Sequence, residues 1–277
     1  MTRIAAVFRR SDRGTFSHFA HFVCDFAIPL YALLRKHDLL LTLAEKGLTL
    51  DLENRRFTQF GPMLPFVSEL FPNLGLHYLS RFECEPERLA QQPWCNEPQG
   101  VQHFLEYVTN LLHIKPQSFG VIVVNRGTDH TRYPGGSFNQ KSGADRRRIR
   151  GGYEALFEAV SARRPDCAAV VLEELSLADQ ISIFLKADTL IAQHGAAFVH
   201  GQWMPPGGHL IELQCLHPQM FPHFVECIAA TRGHKRSVIY VPCSGHRRDL
   251  SMTIDNPNQI AELLTPSNYH NPEQRHL

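Results

Sequence analysis

With 277 residues, 43% of them hydrophobic and 20% charged, the chain has the composition of a folded protein with a substantial core, which excludes disordered and fibrous classes. That length suits two modest domains with a cleft between them. A formal net charge of +1 excludes a general polyanion binder, so no nucleic-acid partner is expected, although Arg146 to Arg150 forms a local basic run.

The seven cysteines are odd in number, scattered, and contain no Cys-x-x-Cys pair, so neither a disulfide framework nor a zinc ribbon follows. Met1 to Arg10 lacks the apolar run of a signal peptide, and no later stretch is long and apolar enough to span a bilayer. These features predict a reducing, cytoplasmic setting with at most peripheral membrane contact.

In chain order, Ile4 to Phe8 reads as a first strand and Arg9 to Gly14 as a polar turn. From Phe16 to Leu34 the apolar residues Phe19, Phe22, Val23, Phe26, Leu30, Leu33 and Leu34 follow helical spacing, and Pro29 should kink or divide that helix. His18, His21 and Asp25 fall together on one side, because residues three and four apart are neighbours. A polar trio on an apolar helix is costly to bury unless hydrogen-bonded. It reads either as a structural His–Asp pair or as a catalytic or ligand-binding pair facing a cleft. Leu39 to Leu43 and Leu48 to Leu52 read as strands, and Val101 to Leu112 as a helix. Lys115 to Ser118 reads as a linker, which places an acceptor-side domain at 1–115, a Rossmann-like domain at 116–250, and a C-terminal helix and tail at 251–277.

From Phe119 the pattern becomes regular: strand Val121 to Val124, helix Tyr153 to Ala162, strand Ala168 to Leu172, then helix Leu177 to Leu185 with Ser176 as its N-cap. Thr189 to Ala192 is a strand buried on both faces and Gly195 follows at its carboxyl end. Ala196 to Met204 reads as a short helix stopped by Pro205-Pro206, and Leu210 to Leu213 as the next strand. A helix from Phe221 to Thr231, a strand from Val238 to Val241 and a short helix from Ile260 to Leu264 complete the series. Alternating buried strands and helices imply an α/β fold with a parallel sheet covered on both faces.

All strands of a parallel sheet end on one edge, so residues remote in sequence converge on one crevice. Arg126, Glu173, His194-Gly195 and Glu212 all fall at or near such ends. Arg126 and Arg132 suit a diphosphate, which guanidinium groups hold by charge-assisted and often bidentate hydrogen bonds, while Glu212 or Glu173 would accept from ribose hydroxyls. No glycine-rich dinucleotide fingerprint, Walker A loop or Gly-x-Ser-x-Gly elbow is present, which disfavours nicotinamide cofactors, ATP and serine hydrolysis. The histidines lack His-Glu-x-x-His pairing and no Asp-x-Asp occurs, so neither a metal nor a cofactor is expected.

Three blocks, Leu172 to Ile181, Leu190 to Ala197 and Met204 to Leu213, stand in an order that resembles the core of glycosyltransferase family 61. That family includes plant xylosyl- and arabinosyltransferases, animal O-linked N-acetylglucosaminyltransferases and bacterial capsular polysaccharide enzymes. His21-Phe22-Val23-Cys24-Asp25 is similar to the family's His-x-x-x-Asp, and Val124-Asn125-Arg126 to its strand ending in Ser-Arg. Asn125 replaces that Ser, Gly151 occupies an expected Asn position, and Tyr133 to Asp145 looks inserted before Arg148.

The resemblance implies a GT-B-like architecture of two Rossmann-like domains, the N-terminal one reduced, and an inverting, metal-independent transferase. Its partners would be a nucleotide-sugar donor, UDP-linked by expectation, and a glycan or polysaccharide acceptor. The donor would lie on the C-terminal domain among Arg126, Arg132, Arg148, Glu173, Gln180, His194, Gly195, Ala196 and Glu212. His21 oriented by Asp25, or Asp25 itself, would be the base. Two readings from other classes are a non-catalytic nucleotide- or sugar-binding protein and a metal-dependent hydrolase built on the histidines.

Overall fold

A computed structural model describes residues 2–8, 16, 18–54, 58–82, 85–89, 98–126, 148–215, 223–245 and 251–264. The fold is mixed α/β and built on parallel sheets. Strand β1 (Thr2–Phe8) pairs in parallel with β2 (Leu48–Glu53) on one side and β4 (Glu87–Leu89) on the other, and β2 pairs with β3 (Leu74–Leu79).

The helix predicted across Phe16 to Leu34 is present in three parts: α1 (Phe19–His21), a π-helical segment Phe22–Ala27, and α2 (Ile28–Lys36). Pro29 lies in the first turn of α2, where its missing N–H costs nothing. A proline clashes with the carbonyl four residues back, here that of Asp25, and the widened π turn sits where that conflict would arise. The segment is fixed by aromatic packing: Phe26 lies 5.2 Å from both Phe8 and Phe16 and 4.5 Å from Phe60.

The strand expected at Leu39 to Leu43 is instead part of helix α3 (Leu40–Lys46). Apart from Thr42 the run is made of the helix formers Leu, Ala, Glu and Lys, and only Leu43 is fully buried while Leu41 is 67% exposed, so no alternation supports a strand. Helix α4 (Leu64–Leu70) follows, and α5 (Pro98–Leu111) covers the predicted helix at Val101 to Leu112 except for its last residue.

The second sheet contains β5 (Val121–Asn125), β7 (Cys167–Val171), β8 (Thr189–Gln193), β9 (His209–Cys215) and β10 (Lys235–Val241), all parallel, in the order β10-β9-β8-β5-β7. This order is compatible with a Rossmann-like, doubly wound domain. Cross-strand register shows why it is buried on both faces. Ile122, Leu190 and Leu210 lie abreast in one apolar cluster, whereas Val123, Ile191 and Ile211 lie abreast in the other. The first cluster runs on through α7 (Leu177–Phe184) and α8 (His223–Arg232) to Phe22, Phe26 and Leu30 of the N-terminal half. The second is capped by α6 (Tyr153–Arg163) and α9 (Pro257–Ala261).

At the amino edge of this sheet Arg164, 2% exposed, donates from Nε and Nη2 to the two carboxylate oxygens of Asp166 at 2.8 Å each, and from Nη2 to Asp188 Oδ2 at 2.8 Å. Gly120 passes so close that a Cβ there would collide with Arg164 Nη2 and the Asp166 carboxylate. At the carboxyl edge a small third sheet, in the order β11-β12-β6, joins β6 (Ile149–Gly151), β12 (Ser251–Thr253) and β11 (Cys243–Ser244).

A disulfide between Cys215 and Cys243, with a Cα–Cα distance of 5.7 Å, ties the end of β9 to this small sheet. No spacing motif marks it, because the two residues are 28 apart and only the β9-to-β11 return brings them together. The scattered cysteines led the sequence reading to expect no disulfide framework, and this bond is the one pairing among the described residues. Among the described residues no helix is long and apolar enough to cross a membrane.

Candidate functional site

The chain runs from β5 outward to β7, then returns across β5 to lay down β8, β9 and β10 on its other side. Strand order therefore reverses between β5 and β8, and ligands of such sheets bind beyond the carboxyl ends of the strands at that reversal. Arg126 follows β5 there, and His194-Gly195 follows β8. Gly195 has φ +154°, and a Cβ on it would collide with Arg126 Nη2, so the glycine lets the guanidinium reach the turn. The 3₁₀ segment Ala196–Gln202 begins on the next residue, with Ala196 half-buried.

Asn125 gathers the surrounding backbone. Its Oδ1 accepts from Arg126 N at 2.9 Å, Ile149 N at 3.2 Å and Gln193 Nε2 at 3.3 Å, while its Nδ2 donates to Ile149 O at 3.3 Å. Arg148, immediately before Ile149, is thereby held beside the β5 end, and its buried Nε has no hydrogen-bond partner among the described residues. Spacing could not have shown this, since Asn125 and Ile149 are 24 residues apart.

His194 and Glu212 are brought into direct contact, with Nδ1 against Oε1. Glu212 is fully buried, and its other partners are Gln214 Nε2, donating to Oε1 at 2.8 Å, and Arg236, donating from Nε at 2.8 Å and Nη2 at 2.6 Å to Oε2. Burial alone would raise the Glu212 pKa, but the hydrogen bonds from His194, Gln214 and Arg236 hold it below its ordinary 4.5. An ionised carboxylate only accepts, so His194 carries its proton on Nδ1. The sequence reading missed Arg236. Glu212 lies opposite Val238 in the β9–β10 register, so Arg236, two residues earlier, is its diagonal neighbour on the same face.

The remaining donor-side candidates lie farther along the edge or outside the described residues. Gln180 is buried and clamps the turn after β7 by donating from Nε2 to Leu172 O at 3.0 Å and Leu175 O at 3.1 Å. Glu173 is half-buried in that same 3₁₀ turn, Leu172–Glu174. Since β7 is the edge strand beside β5, both belong to the neighbouring strand end, one strand away from the β5–β8 reversal. Arg132 and the stretch Tyr133 to Asp145 fall outside the described residues.

On the N-terminal side His21 Nδ1 lies 2.6 Å from Asp25 Oδ2, at the junction of α1 with the π-helical segment. The carboxylate accepts from Nδ1–H, which leaves Nε2 as the basic nitrogen of the ring. Both side chains keep some exposure, 32% and 17%. This end of the helix reaches the second sheet through Phe19, whose ring stacks on that of His200, in the 3₁₀ segment after Gly195, at 5.0 Å. Sequence spacing carries no hint of that contact. Among the described residues no three of His, Cys, Asp and Glu are grouped so as to hold a metal ion.

Comparison with known proteins adds one finding to this geometry. The family model described as Glycosyltransferase 61 matches residues 19–211, which spans α1 to the middle of β9. No curated protein gives a match.

Proposed function

The chain belongs to the glycosyltransferase 61 family, and we infer that it transfers a sugar from a nucleotide-sugar, UDP-linked, to a hydroxyl of a glycan or polysaccharide with inversion at the anomeric carbon. The observation that carries the reading is the meeting of Arg126 with the His194-Gly195 turn at the β5–β8 reversal. A guanidinium beside a glycine turn suits a diphosphate, which needs charge-assisted donors and close backbone approach. Arg148, whose buried Nε lacks a partner among the described residues, adds a second cation. These arginines take the charge-neutralising part that a divalent ion plays in other transferases, so we read the reaction as metal-independent.

In the step itself, His21 Nε2 takes the proton of the acceptor hydroxyl while Asp25 holds the ring and stabilises the imidazolium. The acceptor oxygen bonds to the anomeric carbon, and the bond from that carbon to the diphosphate oxygen breaks. The negative charge that develops on the departing diphosphate falls to Arg126, Arg148 and the His194-Gly195-Ala196 turn. In place of the ribose contact expected of Glu212, we assign it the role of holding His194, because its oxygens are already engaged by protein donors. The N-terminal sheet would form the acceptor side of a GT-B-like pair.

The test is a panel of nucleotide-sugars assayed for release of free nucleotide with and without glycan acceptors. Acceptor-dependent release is expected from at least one UDP-sugar, and Arg126→Ala should weaken UDP binding by about tenfold or more. Binding of UDP without any transfer would identify a non-catalytic binding protein instead, and unchanged UDP affinity in the Arg126 variant would remove the diphosphate assignment.

A further inference from the structure

The His200 ring is clamped between two phenyl rings, Phe19 at 5.0 Å and 20° on one side and Phe184 at 4.8 Å and 7° on the other. These partners come from separate places in the chain. Phe19 opens α1, two residues before His21, while Phe184 ends α7 and is fully buried. His200 itself is 1% exposed and lies in the 3₁₀ segment that starts after Gly195. One side chain thus connects the backbone carrying His21 with the backbone carrying His194.

The contacts the ring makes with Phe19 and Phe184 are made by its faces and not by Nδ1. His200 Nδ1 is buried with no hydrogen-bond partner among the described residues, and an orphaned polar atom costs roughly 1–3 kcal/mol that a phenylalanine would avoid. Burial pushes the His200 pKa down to about 3, so the ring is neutral and stacks as a flat aromatic plate. Helix α1 is a single turn, Phe19–His21, and gives way at once to the π-helical segment, so its register depends on side-chain contacts rather than on helix length.

We propose that His200 is a positioning residue, whose ring registers the His21–Asp25 helix start against the His194-Gly195 turn through the Phe19–His200–Phe184 stack. The proposal rests on the transferase reading above, since it places His21 opposite the donor. Removing the plate leaves Phe19 its edge contact with Phe66 at 6.2 Å but takes away its stacking partner on the second sheet, which loosens the placing of Phe19 and His21 while leaving Arg126, Asn125 and the β5–β8 edge as they are. Misplacing a catalytic group by about 1 Å costs on the order of 100-fold in rate.

The experiment compares His200→Ala with His200→Phe in the full chain, using UDP for binding and the active UDP-sugar for turnover. For His200→Ala we expect kcat to fall on the order of 100-fold with UDP affinity held within about threefold. The His200→Phe protein, which keeps the stack and loses only the imidazole nitrogens, should recover turnover to within about tenfold of wild type. Equal losses in kcat and UDP affinity for His200→Ala, or a His200→Phe protein as slow as His200→Ala, would overturn the proposal. Amide hydrogen exchange gives a reading independent of turnover: residues 18–27 should exchange faster in His200→Ala than in wild type and His200→Phe, with 121–126 unchanged. If wild type transfers no sugar, the transferase reading fails by itself, and the exchange pattern still decides the coupling.

Discussion

Replacing Arg236 by methionine tests the carboxyl edge of the second sheet most directly. The substitution keeps much of the side-chain volume but leaves Glu212, fully buried, without the cation that donates to Oε2 at 2.6 and 2.8 Å. Removing one partner of a buried ion pair costs about 3–5 kcal/mol, because the remaining charge stays desolvated. Arg236 is 15% exposed and Glu212 retains His194 and Gln214, so we expect the lower part of that range, about 3–4 kcal/mol. The linkage sign follows from the depressed Glu212 pKa. Its stabilisation is present above the ordinary 4.5 and is lost as pH falls through the lower folded value. In the variant that folded value rises, so the difference from wild type should be full near neutral pH and shrink on acidification below the ordinary value. Urea unfolding of both proteins, at about pH 7 and again below about pH 4, reads both quantities. A neutral-pH difference under about 0.5 kcal/mol, or one that does not change with pH, would show that Glu212 does not depend on Arg236.

Other contacts yield three more expected outcomes. His21→Ala and Asp25→Asn should each lower turnover by about 10²–10⁴-fold with UDP affinity kept, and wild-type rates in both folded variants would remove the base assignment. Cys243→Ser should cost about 3–4 kcal/mol in thermal or urea unfolding, the loop-closure value for residues 28 apart, and reductant should reproduce the loss in wild type but not in the variant. Gly120→Ala should cost about 1–3 kcal/mol by forcing a Cβ into the Arg164–Asp166 pair, and an unchanged melting temperature would mean that pair yields without strain.

Local and long-range features separate along a physical line. The strands of the second sheet were legible in the sequence because Val121 to Val124 and Thr189 to Ala192 are short, apolar runs buried on both faces, a pattern that survives without knowledge of neighbours. The Ser176 cap was legible because capping is local, and its Oγ does accept from Asp179 N at 3.1 Å. Leu39 to Leu43 misled because a run of leucines fits either a buried strand or a helix edge, and the helix was decided by the next three residues, Ala44-Glu45-Lys46. The pairs that define the site were hidden for a different reason. Arg236 reaches Glu212 across a strand register, Asn125 reaches Ile149 from 24 residues away, and Phe19 reaches His200 between halves of the chain. None of these leaves a periodic trace in one dimension.

The same division explains why the role we propose for Glu212 differs from the one expected of it. At the end of a predicted strand a glutamate looks available to a ligand, and only the neighbouring strand shows otherwise. Once β10 lies beside β9, Arg236 occupies one oxygen of Glu212, while His194 and Gln214 share the other. A buried carboxylate so engaged is better suited to fixing a neighbour than to meeting a ribose, because exchanging a guanidinium for a hydroxyl would leave the buried Glu212 charge without its cation. The neighbour it fixes is His194, whose Nδ1–H it receives, and His194 precedes the glycine that lets Arg126 approach. In the proposed reading Glu212 therefore acts on the candidate diphosphate site at one remove, through the orientation of the turn.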